Sequence, residues 1–237
     1  NKTNSILEFL GRKLEQFAGV EEKLFAILSN YPSQLTKARV KIDPNTIGGL
    51  KVAERVALLS KIGYENVYRA VTNNKGIMNG VDAVLLATGN DYRAIESAAA
   101  VLANQDGHYR SLSKWTMENN MLIGELTLPM AIGVVGGSIK ARKDVQQSFA
   151  ILGKNVDSKT LGEIIVGIGL ANNLAALLAI STVGIQAGHM KLQARNFVAE
   201  LNASEQEKKQ VLGRMIEEKK YSESHAREIL QEIREGN

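Results

Sequence analysis

The chain has 237 residues, 44% hydrophobic and 23% charged, with 29 Lys and Arg against 25 Asp and Glu for a net charge of +4. This is an ordinary globular composition, long enough for one substantial core or two unequal domains. Absence of cysteine excludes disulfides, cysteine-ligated zinc and a thiol nucleophile, and a mild basicity interspersed with glutamate argues against a nucleic-acid partner while suiting an anionic small substrate.

Residues 4–17 place Ile6, Leu7, Leu10, Leu14 and Phe17 at three- and four-residue steps, which predicts an amphipathic helix. Residues 21–28 continue in helical style until Asn30-Tyr31-Pro32 breaks the pattern. Residues 35–42 alternate, with Ala38, Val40 and Ile42 opposite Lys37, Arg39 and Lys41, as in a half-buried strand. Residues 45–62 read as a helix weakened at Gly48-Gly49. Ile77, Val81, Val84, Leu85 and Thr88 share one helical stripe, predicting a helix over 76–88 stopped by Gly89; a buried strand over 81–87 is the competing reading. Residues 93–103 are alanine-rich and helical, and 122–130 form a strand leading into the glycine loop 133–137. A short helix covers 144–152, and Ser158 caps a long apolar helix reaching Val183. From Met190 onward the pattern predicts two or three charged amphipathic helices ending at Glu235.

The mixture of elements is α+β or α/β, with α+β the expected class, and carries a helical C-terminal appendage, with boundaries near residues 30–32 and 187–188. The apolar run 161–184 is long enough for a bilayer, but Asn172-Asn173 and Glu163 interrupt it, which favours a core helix and no membrane. The chain opens on Asn1 and moves straight into a helical pattern, suggesting a segment of something longer. Without a signal-peptide pattern, a cytoplasmic setting is the expectation.

Three chemically distinctive residues sit among small ones. Lys75 lies in Asn73-Asn74-Lys75-Gly76, Asp91 ends Thr88-Gly89-Asn90-Asp91, and His189 follows Gly188. A cation, a carboxylate and an imidazole are what carbonyl reduction requires: one stabilises the oxyanion and the others move protons. Each has a plainer reading as well. Lys75 could be a solvated loop residue, although a helix starting at Gly76 would put free backbone N–H groups beside it; Asp91 could simply cap the next helix; His189 could be structural. A straight helix between Lys75 and Asp91 is about 20 Å long at 1.5 Å per residue, so the two would meet only across a symmetric subunit contact. The Gly133 to Gly137 spacing does not fit a dinucleotide fingerprint.

The stretches Tyr68-Arg69-Ala70, Asn74-Lys75-Gly76-Ile77-Met78-Asn79-Gly80, Ala87-Thr88-Gly89-Asn90-Asp91, Gly136-Gly137 and Gly184-Ile185-Gln186-Ala187-Gly188-His189-Met190, leading into Ala194-Arg195-Asn196, closely resemble the bacterial (class II) 3-hydroxy-3-methylglutaryl-coenzyme A reductases. The resemblance implies reduction of hydroxymethylglutaryl-CoA to mevalonate and CoA by two equivalents of NADH or NADPH, in a homodimer with shared active sites and no metal. It implies that Lys75 stabilises the carbonyl oxygen, Asp91 hydrogen-bonds to and tunes Lys75, and His189 protonates the departing thiolate. Arg69 and Asn79 would hold the hydroxymethylglutaryl group, with an arginine fork suited to its carboxylate. Asn30 resembles a position near the nicotinamide, and Asn1 the last residue of a cofactor motif. On this resemblance residues 1–30 end the cofactor-binding domain, 31–187 belong to the catalytic domain and 188–237 form the flap. The family's N-terminal portion, with its catalytic glutamate, is not in this chain and is an implied partner. Gln193 stands where relatives often carry a second histidine. The alternative is a non-catalytic fragment that supplies dimerisation and lid surfaces.

Overall fold

The computed structural model describes residues 2–236 except 154 and 183; the side chains of residues 2, 137–138, 185–189, 191 and 192 also fall outside the description. Three strands form one antiparallel sheet, β1 (Leu35–Ile42), β2 (Ser113–Glu118) and β3 (Met121–Pro129), in the order β1-β3-β2. In β1 the alternate residues Thr36, Ala38, Val40 and Ile42 turn inward, as the polar–apolar alternation requires. Its outward residues Lys37 and Arg39 both reach Glu125 on β3, at 3.0 and 3.2 Å. The two cations, Lys37 foremost, hold the Glu125 carboxyl below its ordinary range. The structure is the expected α+β mixture, with helix predominating.

Helix α1 (Lys2–Leu14) precedes an irregular stretch, so the helical continuation expected over 21–28 does not form. Gly19 turns the chain at φ +92°, and Leu24, Phe25 and Ile27 are each at least 75% exposed. Left outside both apolar clusters of the described residues, so short a segment lacks the tertiary support that a helix needs. Nor does one helix run over 45–62. Asp43 caps a single 3-10 turn (Pro44–Ile47), accepting from Asn45 N–H at 2.9 Å, and α2 (Leu50–Glu65) starts only after Gly48 and Gly49, both at positive φ.

The helix expected at 76–88 is much longer. α3 spans Val67–Ala87, capped by the Asn66 side chain, which accepts from Arg69 N–H at 3.0 Å. That excludes the strand reading of 81–87, and it moves Lys75 from a helix N-terminus into a helix interior. The free backbone donors expected beside Lys75 are therefore absent, because their carbonyl partners lie one turn earlier in the same helix. α4 (Tyr92–Ala103) follows directly, then β2, which the sequence reading did not pick out, β3, the short α5 (Gly137–Ala141) and α6 (Lys143–Leu152).

α7 (Ser158–Ser181) is the centre of the molecule. Its N-cap is Asp157, accepting from Thr160 N–H at 2.7 Å, one residue before the expected Ser158. The helix is long and apolar enough to cross a bilayer by length and composition, yet it packs against α3, α2, β1 and β3 around a core containing Ile77, Val81, Leu126, Ile165 and Leu170. Gly169 marks a close approach: a Cβ there would lie 2.9 Å from Val81 and 3.1 Å from Leu126. α8 (Ile185–Glu200), α9 (Glu205–Glu218) and α10 (Glu223–Glu235) gather around a separate cluster of Ala194, Val198, Val211, Met215 and Ile229. Ser204 and Glu207 close a capping box on α9, and Glu207 also binds Arg234 at 2.8 Å; these bonds, the Arg234 contact first, pull its carboxyl down to about 2.

Trp115 on β2 is 2% exposed and faces Gly124 on β3. A Cβ on Gly124 would meet its ring at less than van der Waals distance. Gly124→Ala is therefore expected to destabilise the fold by about 1–3 kcal/mol, the range for overpacking a filled core. A urea midpoint equal to the parent's would refute that packing argument.

Candidate active site

Tyr68, Val71, Lys75, Asn79 and Leu86 recur at three- to seven-residue steps along the exposed side of α3. Tyr68 is 84% exposed, and Val71 and Leu86 about half. A helical stripe with a cation and an amide at its middle and large apolar groups at either end is unusual for a face that meets only water. Among the described residues the side chains of Lys75 and Asn79 have no hydrogen bond or ion pair. Within the single chain Lys75 faces solvent, so a closed site here needs a second surface.

The opposite side of the same helical turn is rigidly tied. Asn73, 4% exposed, donates to Ser111 Oγ at 2.7 Å and Ser113 Oγ at 3.1 Å, and its carbonyl accepts from Asn173 Nδ2 at 2.9 Å. The Asn173 carbonyl in turn accepts from Ser113 Oγ at 2.9 Å and the Trp115 indole N–H at 2.8 Å. Asn74 donates to the Arg110 carbonyl at 2.8 Å and accepts from Leu112 N–H at 2.9 Å. Asn172 donates to the Gly76 carbonyl at 2.5 Å. Gly80 lets α7 come close: a Cβ there would lie 3.1 Å from Asn172. The sequence reading missed this network, although Asn172-Asn173 inside an apolar run was its visible trace.

Asp91 lies beyond the far end of α3 and caps α4, its Oδ1 accepting from Ala94 N–H at 3.2 Å. The plainer reading of this residue, a helix cap, therefore holds, and α3 keeps Asp91 and Lys75 of one chain apart. Thr88-Gly89-Asn90 forms the turn between the helices. Gly89 takes φ +68°, and the Asn90 amide donates to Thr88 Oγ at 3.1 Å while its carbonyl accepts from Gly133 N–H at 2.8 Å. The glycine loop beginning at Gly133 is thereby anchored beside Asp91.

Arg69 is half-buried, with its stem close to Gly63, and its buried Nε has no hydrogen-bond partner among the described residues. Burial lowers its pKa from the ordinary value. A guanidinium fork is suited to pairing with a carboxylate, although Nε itself is closed to solvent here. Asn30 lies exposed in the irregular stretch after α1, with no described hydrogen bond, free to pair with a polar group such as a carboxamide. Asn1 and the His189 side chain lie outside the described residues, although α8 includes position 189. Among the described residues no group of three or more His, Asp or Glu could hold a metal.

Residues 1–194 match the family described as Hydroxymethylglutaryl-coenzyme A reductase, and the chain belongs to that family. It is 36% identical over 235 residues to the 3-hydroxy-3-methylglutaryl-coenzyme A reductase of Archaeoglobus fulgidus, covering 99% of this chain and 53% of that protein. It is 37% identical over 246 residues to a probable 3-hydroxy-3-methylglutaryl-coenzyme A reductase of Borreliella burgdorferi, covering 98% and 57%. The chain thus spans about half the length of the curated relatives it matches, corresponding to their C-terminal part. A solved Streptococcus pneumoniae reductase superposes with a TM-score of 0.72 at 42% identity, over 97% of this chain and 56% of that one. A class II reductase from the same organism, bound to NADPH in open conformations, gives a TM-score of 0.71 at 42% identity over 98% and 57%.

One further acid pair joins the two helices of the site. Burial, with Glu96 of α4 alongside, pushes the Asp82 carboxyl on α3 from 3.8 up to about 7, and its Oδ1 is buried with no hydrogen-bond partner among the described residues. A carboxyl whose folded value is raised gives stability that is complete below its unfolded value near 3.8 and is lost as pH rises through about 7. Asp82→Asn is expected to flatten the pH dependence of the melting temperature between pH 4 and 8 and to exceed the parent at pH 8. Parallel profiles for the two proteins would show that Asp82 does not set this slope.

Proposed function

We propose that this chain is the C-terminal part of a class II reductase that converts hydroxymethylglutaryl-CoA to mevalonate. The reaction takes up two hydrides and two protons and releases CoA. The reading is supported by family membership together with one observation: Lys75 stands on a rigidly held helix with its ammonium group uncommitted, one turn from an equally uncommitted Asn79. Residues 1–30 are read as the end of the cofactor-binding domain, 31–187 as part of the catalytic domain and 188–237 as the flap. The remaining N-terminal portion of the enzyme, with its glutamate, is the partner.

As the thioester carbon accepts hydride, negative charge grows on the carbonyl oxygen, and Lys75 stabilises it. Asn79 and Arg69 hold the hydroxymethylglutaryl group, with the guanidinium fork of Arg69 pairing with its carboxylate. Collapse of the hemithioacetal expels CoA, and His189 protonates the thiolate as it leaves. Mevaldehyde then accepts the second hydride at the same carbon, again with Lys75 on the oxygen. NADH or NADPH supplies both hydrides when bound, and Asn30 is the described residue of this chain offered to its carboxamide. The apolar ends of the α3 stripe support a homodimer in which Asp91 of one copy serves Lys75 of another, because the two are separated within one chain.

Combining this chain with the N-terminal portion and following nicotinamide absorbance with hydroxymethylglutaryl-CoA tests the whole reading. No oxidation under any pairing leaves the non-catalytic fragment. Lys75→Ala is expected to abolish turnover with the melting temperature unchanged, as an exposed lysine carries little stability; activity within a few fold of the parent rejects its role. His189→Gln is expected to slow thioester reduction more than reduction of free mevaldehyde, since only the former expels a thiolate. Equal slowing of both reactions removes that assignment.

A further inference from the structure

We infer that Asn173 is a positioning residue for Lys75, acting through Asn73 from the far side of α3; the inference rests on the reading of Lys75 given above. Asn173 is 1% exposed at the middle of the most apolar helix of the chain, where an unsatisfied amide would be costly. It is not unsatisfied. It donates to Asn73 and accepts from Ser113 and Trp115, making it the point where α3, α7 and β2 meet through polar bonds. Trp115 carries the network on to α2, its backbone N–H donating to Ser60 Oγ at 2.8 Å. A leucine would fill similar space with no amide to satisfy, so volume alone gives no reason for an asparagine here. What a fully bonded amide adds is direction, because it tolerates one register and one rotation of the helices it joins.

That direction bears on Lys75. Two residues along an α-helix is a turn of about 200°, so Asn73 and Lys75 project from nearly opposite sides. Fixing Asn73 against α7 and the residues leading into β2 fixes which way Lys75 and, one turn on, Asn79 face. Asn74 and the Gly76 carbonyl add independent ties, so the residues on both sides of Lys75 are pinned while Lys75 itself is left uncommitted. With the ammonium roughly 6 Å or more from the helix axis, a rotation of ~10° displaces it by ~1 Å. A misplacement of about that size costs on the order of 100-fold in a reaction dependent on alignment.

The test uses the complete enzyme, formed with the N-terminal portion. Asn173→Leu is expected to lower kcat by about 10- to 100-fold, with KM for hydroxymethylglutaryl-CoA within about threefold of the parent. Leu161→Ala, a cavity in the same helix far from the network, serves as the structural control: it is expected to lower the melting temperature and leave kcat of the folded enzyme unchanged. A kcat for Asn173→Leu within twofold of the parent, or a loss no larger than in Leu161→Ala, overturns the inference. Should Asn173→Leu give no folded enzyme, Ser113→Ala decides, since it removes one hydroxyl from the same network: a kcat loss of about threefold or more supports the inference and an unchanged kcat overturns it. Turnover retained by Lys75→Ala would instead reject the role of Lys75, an outcome read independently of either network variant.

Discussion

The contact on which the rest of the molecule depends is the crossing of α3 and α7, where small residues allow the helices to approach and a pair of buried asparagines joins them. Gly80 faces Asn172, and Gly169 faces Val81 and Leu126. At that separation the Asn73 and Asn173 side chains bond directly, and the serines leading into and on β2 complete the pair. Apolar packing around the crossing supplies most of the favourable free energy, being non-directional and proportional to area. The amides add the geometry that packing alone does not dictate. Lys75 inherits that geometry, standing on the solvent side of the helix whose inner side is bonded.

The same crossing explains why the candidate site is open. α3 buries Ile77, Val81 and Leu85 in the core it shares with α7 and α2, and leaves Tyr68, Val71, Lys75, Asn79 and Leu86 outward. Asp91 is placed by a different requirement, the capping of α4, and Asn90 ties its turn to the glycine loop at Gly133. A rigid helix some 20 residues long holds the two charged groups apart, which is why a complete site calls for another surface. The proposed homodimer and the N-terminal portion of the enzyme are the two surfaces that the family reading provides. The unpaired Arg69 Nε and the raised Asp82 carboxyl lie on the same helix, so α3 combines the best-fixed backbone of the site with groups whose desolvation is not internally compensated.

Where local signals were strong and undisturbed, reading and structure agree closely. β1 is legible from its alternation and α4 from its alanine-rich run, α6 lies where a short helix is expected, and α10 ends at Glu235 as expected. The errors have physical causes. Asn73, Asn74 and Gly76 look like a loop because each is a weak helix former, yet bonds from Asn173, the 110–112 backbone and Asn172 hold them inside α3. The apolar residues at 24, 25 and 27 look like a helix face, yet all three are exposed among the described residues. β2 was overlooked because its central residue, Trp115, is buried by contact with Gly124, a pairing visible only once the strands are in register.

The sequence alone determined the family, through long motifs around Lys75, Asp91 and His189, and it set the condition that Lys75 and Asp91 cannot meet locally if the segment between them is a straight helix; the structure supplies that helix. It also marked α7 as a core helix carrying two misplaced-looking asparagines. Only the tertiary structure decided what those asparagines are for, because hydrogen bonds between residues a hundred positions apart have no local signature. It likewise decided that Lys75 sits in a helix interior, where propensity is overruled by packing and by bonds that the folded chain alone brings within reach.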